Sequence, residues 1–210
     1  MENPVIILGA SGIGKVAQDI FNSRDIIVYC FLDDDKSLHN TEINEVSVLG
    51  STSDDGFLKY IGKKCEAFVA IEERSDRADV VKMLNTRRKV MPVNAIHANA
   101  DISESAILGY GNFINAGAVV NASATLGNHI IIHSLALVEY DAVISDFVQI
   151  GARATVGARV EVGEGALIGA GAIITSGVKI GKNASVAPGS LVMTDVEEET
   201  TVFGIPAKAI

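Results

Sequence analysis

The residues nearest the start of the chain that could do chemistry are Gly9-Ala10-Ser11-Gly12-Ile13-Gly14-Lys15. A glycine-rich turn between a strand and a helix brings backbone N–H groups and a helix N-terminus up to a phosphate. Asp33-Asp34-Asp35 follow about 20 residues later, the interval at which an acid reads the ribose or base of a bound nucleotide. The competing reading of the turn is a tight strand-to-helix connection with no ligand. Tyr60 and Lys64 have the Tyr-x-x-x-Lys spacing of a nicotinamide dehydrogenase, but they come too soon after the glycines and end a short amphipathic helix. Histidines are few. His97 and His133 share one position of a repeat with Asn115 between them, which makes a ladder on an outer face; His39 in a loop and His129 at a corner read as surface residues. That ladder offers too few ligands for a zinc centre, so no metal is expected. Cys30 and Cys65 are too isolated for a disulfide framework or a metal knuckle and read as reduced core thiols.

Two different scaffolds must position these groups. Val5-Ile6-Ile7-Leu8 reads as a buried strand, the glycine turn follows it, and a helix is predicted from Val16 to about Asn22. Ile26 to Leu32 reads as a second strand ending at the aspartates. Phe68-Val69-Ala70-Ile71 as a strand and Arg77 to Thr86 as a helix complete a short α/β unit.

The second half repeats every six residues. Stepping by six from Ile96 through Ile102, Leu108, Ile114 and Val120 to Val192 meets only aliphatic residues. Four residues after an anchor the residue is usually small, as at Ala100, Ala118, Ala136, Ala154 and Ala172. Six residues make one short flat strand and one tight corner, and three such units close a triangular coil. The anchor and the alanine point inward, where stacked coils about 4.8 Å apart bury them against their equivalents. A helix is excluded because a period of six keeps no single helical face. The expected fold is therefore an α/β N-terminal Rossmann-like domain, residues 1–94, followed by an all-β left-handed parallel β-helix with a closing segment, residues 95–210.

Composition agrees with thin aliphatic layers: nearly half the residues are apolar, Gly is abundant and Trp is absent. The formal charge of −9 argues against a nucleic-acid surface, which needs a basic stripe. Met1-Glu2-Asn3-Pro4 carries no basic leader signal and no apolar run approaches the ~18 residues of a membrane span, so a cytoplasmic protein with no membrane insertion is expected.

The domain order resembles the sugar O- and N-acyltransferases, which include sialic-acid O-acetyltransferases and UDP-4-amino-sugar N-acetyltransferases. The repeat resembles their [Leu/Ile/Val]-Gly-x-x-Ala-x signature. Gly9 to Lys15 is similar to their Gly-Ala-Gly-Gly-His-Gly-Lys turn, and Phe31-Leu32-Asp33-Asp34 to their Phe-Leu-Asp-Asp strand end. Asn94-Ala95-Ile96-His97 resembles their Ile-His-Pro junction, and Phe203-Gly204-Ile205-Pro206-Ala207-Lys208 their closing tail. The resemblance implies an acetyl-CoA-dependent acyltransferase acting on a nucleotide-linked amino sugar in surface-glycan biosynthesis. It implies a homotrimer with the acetyl-CoA co-substrate in the cleft between adjacent β-helices.

The same resemblance implies substrate contacts at Gly9, Ser11, Gly12, Ile13, Gly14, Asp33 and Asp34, with Ile13 where the family has His. Cofactor contacts are implied at Gln149, Gly151, Gly169, Ala187 and Lys208, with Gln149 in place of a second family His. The family's general base lies in Val-Asp-His-Asp-Cys-Val-Ile-Gly-Asp. The fixed anchors Val138 and Ile144 set Val138-Glu139-Tyr140-Asp141-Ala142-Val143-Ile144-Ser145-Asp146 against it. Tyr140 thus takes the His position and Asp141 the acid beside it. Phenols ordinarily titrate near pH ~10 and are poor bases at neutrality. His133 is then the imidazole that could enter the cleft from a neighbouring subunit. The alternative expectation is a homologue that binds nucleotide-sugar but lacks the general-base His and its chemistry.

Overall fold

Val5-Ile6-Ile7-Leu8 offers no polar side chain to solvent, and in the computed structural model, which describes residues 3–210, all four are buried in strand β1 (Val5–Leu8). Helix α1 (Gly12–Asn22) returns the chain to β2 (Val28–Leu32), with Ile13, Ala17, Ile20 and Phe21 forming its buried stripe. The helix starts four residues before the expected Val16, because packing against the sheet overrides the low helix propensity of Gly12 and Gly14. Gln18 is fully buried in that stripe and donates to the carbonyls of Ile43 and Asn44, both at 3.1 Å. Those bonds fasten α1 to the hairpin of β3 (Glu42–Ile43) and β4 (Val46–Gly50). A short helix α2 (Asp55–Leu58) precedes β5 (Glu66–Val69). Helix α3 (Arg74–Arg88) outruns the expected Arg77–Thr86, capped by the Glu73 carboxylate and stopped by Lys89 at φ 55°.

The sheet order is β3-β4-β2-β1-β5, parallel except for the β3–β4 hairpin. With β2 on one side of β1 and β5 on the other, connections diverge above the carboxyl end of β1. That divergence opens a crevice where ligands of α/β sheets bind.

Chain contacts separate a first unit, Met1–Ala98, from a second, Asn99–Ile210. The second unit is a left-handed parallel β-helix. Two-residue strands recur every six residues from Asp101–Ile102 to Leu191–Val192. From Asp101–Ile102 to Ile173–Ile174 each pairs in parallel with the strand 18 residues on, as Val119 with Leu137 and Val120 with Val138, so three flat sheets form the faces of a prism. Anchors and the residues four positions later fill the interior: Val138, Ala142, Ile150 and Ala154 are all fully buried. Burying one aliphatic side chain stabilises by about 1.5–3 kcal/mol, and each coil contributes three anchors. Asn112 breaks the alanine rule. Its buried amide donates to Gly127 O at 2.9 Å and accepts from Ile130 N at 2.8 Å, which satisfies it between coils.

Corners share one device. Every sixth residue from Gly111 to Gly189 has a left-handed backbone, including Ser123, His129, Leu135, Asp141, Phe147, Arg153 and Arg159 at φ 57–61°. That conformation costs an L-residue about 1–2 kcal/mol. Bonds between coils offset it: Asp141 N donates to Ala122 O at 3.1 Å and Arg159 N to Tyr140 O at 3.1 Å. One such corner corrects an expectation. His129 is buried rather than at the surface, because its ring packs over Gly111 and lies 5.0 Å from that of Phe147. A hairpin, Thr201–Gly204 with Ala207–Ala209, closes the last coils through a cis Ile205–Pro206 bond. No helix among the described residues is long and apolar enough to cross a membrane.

Candidate active site

In the first unit a cavity of about 520 Å³ occupies the crevice at the carboxyl ends of β1, β2 and β5. Gly9, Ser11, Asp33, Asp34 and Thr52 line one side, and Ile71, Glu72, Glu73, Asp76 and Asp79 the other. The Asp33 carboxylate accepts from Ala10 N at 2.7 Å and from Asp35 N at 2.9 Å, so it sets the glycine turn against the end of β2. Asp34 accepts from Thr52 N and Thr52 Oγ1, both at 2.9 Å. Each acid therefore spends part of its acceptor capacity holding the rim, and the rest faces the cavity. On the far wall Arg77 is buried beneath the loop and donates to Ile71 O at 2.8 Å and Glu72 O at 2.7 Å. Burial pulls its guanidinium down to about 10, against the attraction of Glu73.

The glycine turn divides in two. Gly9 and Ser11 line the cavity, whereas Ile13 and Gly14 are buried on the helix face that meets the sheet. Ile13, expected to touch substrate, instead packs in the core at 6 % exposure, because the helix starts early and turns it inward. Gly12 does not line the cavity, but a side chain there would meet only open space.

A second cavity, about 410 Å³, is a groove along the β-helix. It gathers His133, Gln149, Gly151, Gly169 and Ala187, all singled out from sequence, together with Leu167, Ser185, Pro188 and Thr201. Gln149, Leu167 and Ser185 stack at one outward strand position in successive coils. Leu167 and Ser185 were thus within reach of the 18-residue register, although nothing marked them chemically. Gln149 Nε2 lies 3.1 Å from His133 Nε2, and the imidazole stands edge-on to Phe113 at 6.4 Å. Tyr140 and Asp141 do not line this groove; they occupy a corner, with Tyr140 45 % exposed. Arg159, from the next coil, was missed from sequence: its Nη1 donates to Tyr140 Oη at 3.4 Å and its guanidinium lies 5.7 Å from the ring centre. Lys208 is exposed in the closing hairpin opposite Phe203, outside the groove. Among the described residues no three His, Cys, Asp or Glu side chains gather around a point where a metal ion could sit.

Residues 4–84 match the PglD N-terminal domain, and residues 141–176 and 159–194 match the bacterial transferase hexapeptide (six repeats). The chain thus joins a PglD-type N-terminal domain to transferase hexapeptide repeats, the domain order of the sugar acyltransferases it resembles. Among solved structures it is similar to GDP-perosamine N-acetyltransferase from Caulobacter crescentus, crystallised as a His-to-Ala variant with CoA and GDP-perosamine. The two are 29 % identical over 100 % of this chain and 98 % of that one, with a TM-score of 0.91. The acetyltransferase domain of PglB from Neisseria gonorrhoeae, in complex with acetyl coenzyme A, is 26 % identical over 100 % of both chains, at a TM-score of 0.91. WeeI from Acinetobacter baumannii is 25 % identical over 99 % of both, at 0.82. No curated protein matches the chain significantly.

Proposed function

We propose that this protein transfers an acetyl group from acetyl-CoA to a nucleotide-linked amino sugar. The observation that carries the reading is the end-to-end likeness to an N-acetyltransferase bound to CoA and GDP-perosamine. The two cavities fit that chemistry separately. The first is lined mainly by hydrogen-bond acceptors, which suit ribose hydroxyls and the N–H edge of a base, while the N-terminus of α1 beside Ser11 offers backbone N–H groups to phosphate. The second is a long, mainly apolar groove that suits the extended thiol-bearing arm of the coenzyme, with Gln149, Gly151, Gly169 and Ala187 along it. Backbone N–H groups beside such a groove polarise a thioester carbonyl. The acceptor nitrogen attacks that carbon, the C–S bond breaks, and the thiol leaves. In this reading the working form is a cytoplasmic homotrimer that places a groove beside a neighbouring β-helix, with the Tyr140–Asp141 corner facing the cleft.

Thiol release followed colorimetrically across GDP-, UDP- and dTDP-linked amino sugars tests the proposal. Release that depends on both substrates is the expected outcome. Silence with every acceptor, from protein shown calorimetrically to bind acetyl-CoA, would sink it.

A further inference from the structure

The corner that should carry a base carries Tyr140, its hydroxyl engaged with Arg159 at 3.4 Å. An imidazole stands elsewhere, in the groove itself. His133 lines it together with Gln149, and the two side chains meet at 3.1 Å between nitrogens. An amide nitrogen has hydrogens to give and no lone pair to offer. Gln149 therefore donates, and His133 Nε2 accepts. The ring is thus the neutral tautomer with its hydrogen on Nδ1 and its lone pair on Nε2. Imidazole ordinarily titrates near pH ~6.5, which suits proton transfer at neutrality.

Resting on the acyltransferase reading, we propose that His133 is the proton acceptor of this enzyme and that Gln149 is its positioning residue. The Gln149 amide holds the ring in the working tautomer and keeps a hydrogen-bond donor on the Nε2 lone pair until the substrate supplies its own. The acceptor N–H then replaces the amide N–H on Nε2. As the nitrogen bonds to the thioester carbon, Nε2 takes its proton. The C–S bond breaks with its electron pair on sulfur, and the imidazolium returns the proton to the thiolate. The products are an N-acetylated sugar and free coenzyme thiol, with His133 neutral again. The proton acceptor then sits on the preceding face of the prism, seven residues before Tyr140 in the chain.

The test pairs kinetics with a spectroscopic readout. His133→Gln keeps a polar side chain but cannot accept a proton; kcat should fall about 10²–10⁴-fold, with KM for acetyl-CoA changed less than about threefold. Added imidazole should restore part of the activity of His133→Ala, which a purely structural role would not allow. In the wild-type protein at pH ~8, where free imidazole is neutral, the ¹⁵N shifts of His133 should show Nδ1–H and a bare, hydrogen-bonded Nε2. Gln149→Ala should shift that tautomer balance and lower kcat. A His133→Gln enzyme that keeps its kcat, or a wild-type ring protonated on Nε2, would overturn the assignment while leaving the acyltransferase reading intact. A wild-type protein that releases no thiol overturns both.

Discussion

Replacing Gly14 by alanine separates what the glycine turn does for folding from what it does for a ligand. A Cβ at Gly14 would collide with the carbonyl oxygen of Gly9 and stand 3.5 Å from the Phe31 ring. Gly9 cannot retreat. Its N–H is bonded to Leu32 O at 2.8 Å, its φ is 111°, and its own α-carbon faces Ala70 O so closely that a Cβ would lie 2.5 Å from it. Relief requires α1 to lift away from β1, loosening Ala17, Ile20 and Phe21, which are at most 2 % exposed. Overpacking of this kind costs about 1–3 kcal/mol, and with no flexible side chain to yield, the upper end applies. For a domain of this size each kcal/mol lowers the melting temperature by roughly 4–8 °C, so the first unit should melt on the order of 10–20 °C lower.

Gly12 lies two residues away in the same helical turn. A Cβ there meets nothing within 4 Å, so Gly12→Ala gains up to about 1 kcal/mol of helix propensity and should melt at or above the wild type. Differential scanning calorimetry on both variants reads the contrast directly. A Gly14→Ala protein melting within about 2 °C of the wild type would refute the steric reasoning, since that shift corresponds to under 1 kcal/mol. Titration of the stable Gly12→Ala protein with a nucleotide-sugar then tests the ligand role. Phosphate seated on the turn predicts weaker binding, and unchanged affinity excludes Gly12 from it.

Asn112→Ala should cost about 2–4 kcal/mol in urea denaturation, because it leaves Ile130 N and Gly127 O without their buried partner. Arg77→Met should cost about 2–3 kcal/mol by freeing the carbonyls of Ile71 and Glu72, and should weaken nucleotide-sugar binding by loosening the far wall of the first cavity; an unchanged binding isotherm would show that wall to be irrelevant. The Cys30 thiol is pushed up to about 12 from its ordinary 9.0, by burial first and by Cys65 second. Its folded value is raised, so the stability it contributes is complete below pH 9 and is lost as pH rises toward 12, while the unfolded chain ionises first. Denaturation midpoints should fall across that window, and Cys30→Ala should flatten the fall.

The repeat was legible because each strand's neighbours are its own equivalents 18 residues away. Once Ile96 to Val192 set the phase, the pairing of Ile131 with Gln149 and of Gln149 with Leu167 followed. Hence the groove residues His133, Gln149, Gly151, Gly169 and Ala187 could be found from spacing and resemblance together. The first cavity was half legible. Its near rim is sequence-local, turn and aspartates, but its far wall comes from the loop after β5 and the start of α3, whose acids look in sequence like a solvated helix face. Ile13 and His129 were misplaced for one reason. Their exposure depends on backbone direction at a single residue, which composition and period do not encode.

That single-residue direction also bears on Tyr140. The left-handed column runs through Ser123, Asp141, Arg159 and Gly177, side chains with nothing in common except their place in the coil. The corner is shaped by backbone bonds between coils such as Asp141 N to Ala122 O, and the side chain at position 140 adds the 3.4 Å bond that its hydroxyl accepts from Arg159. A side chain that is 45 % exposed and tied to the next coil by one long bond can be exchanged with little effect on stability. The register therefore records where chemistry can happen and is silent on whether it does. His133 is tied differently. Its ring is held by Gln149, which lines the groove, and stands edge-on to the buried Phe113, so its chemistry and its packing are constrained together. A proton acceptor in this molecule belongs where the fold fixes the orientation of a side chain, and among the corner and the groove only the groove does so for an imidazole.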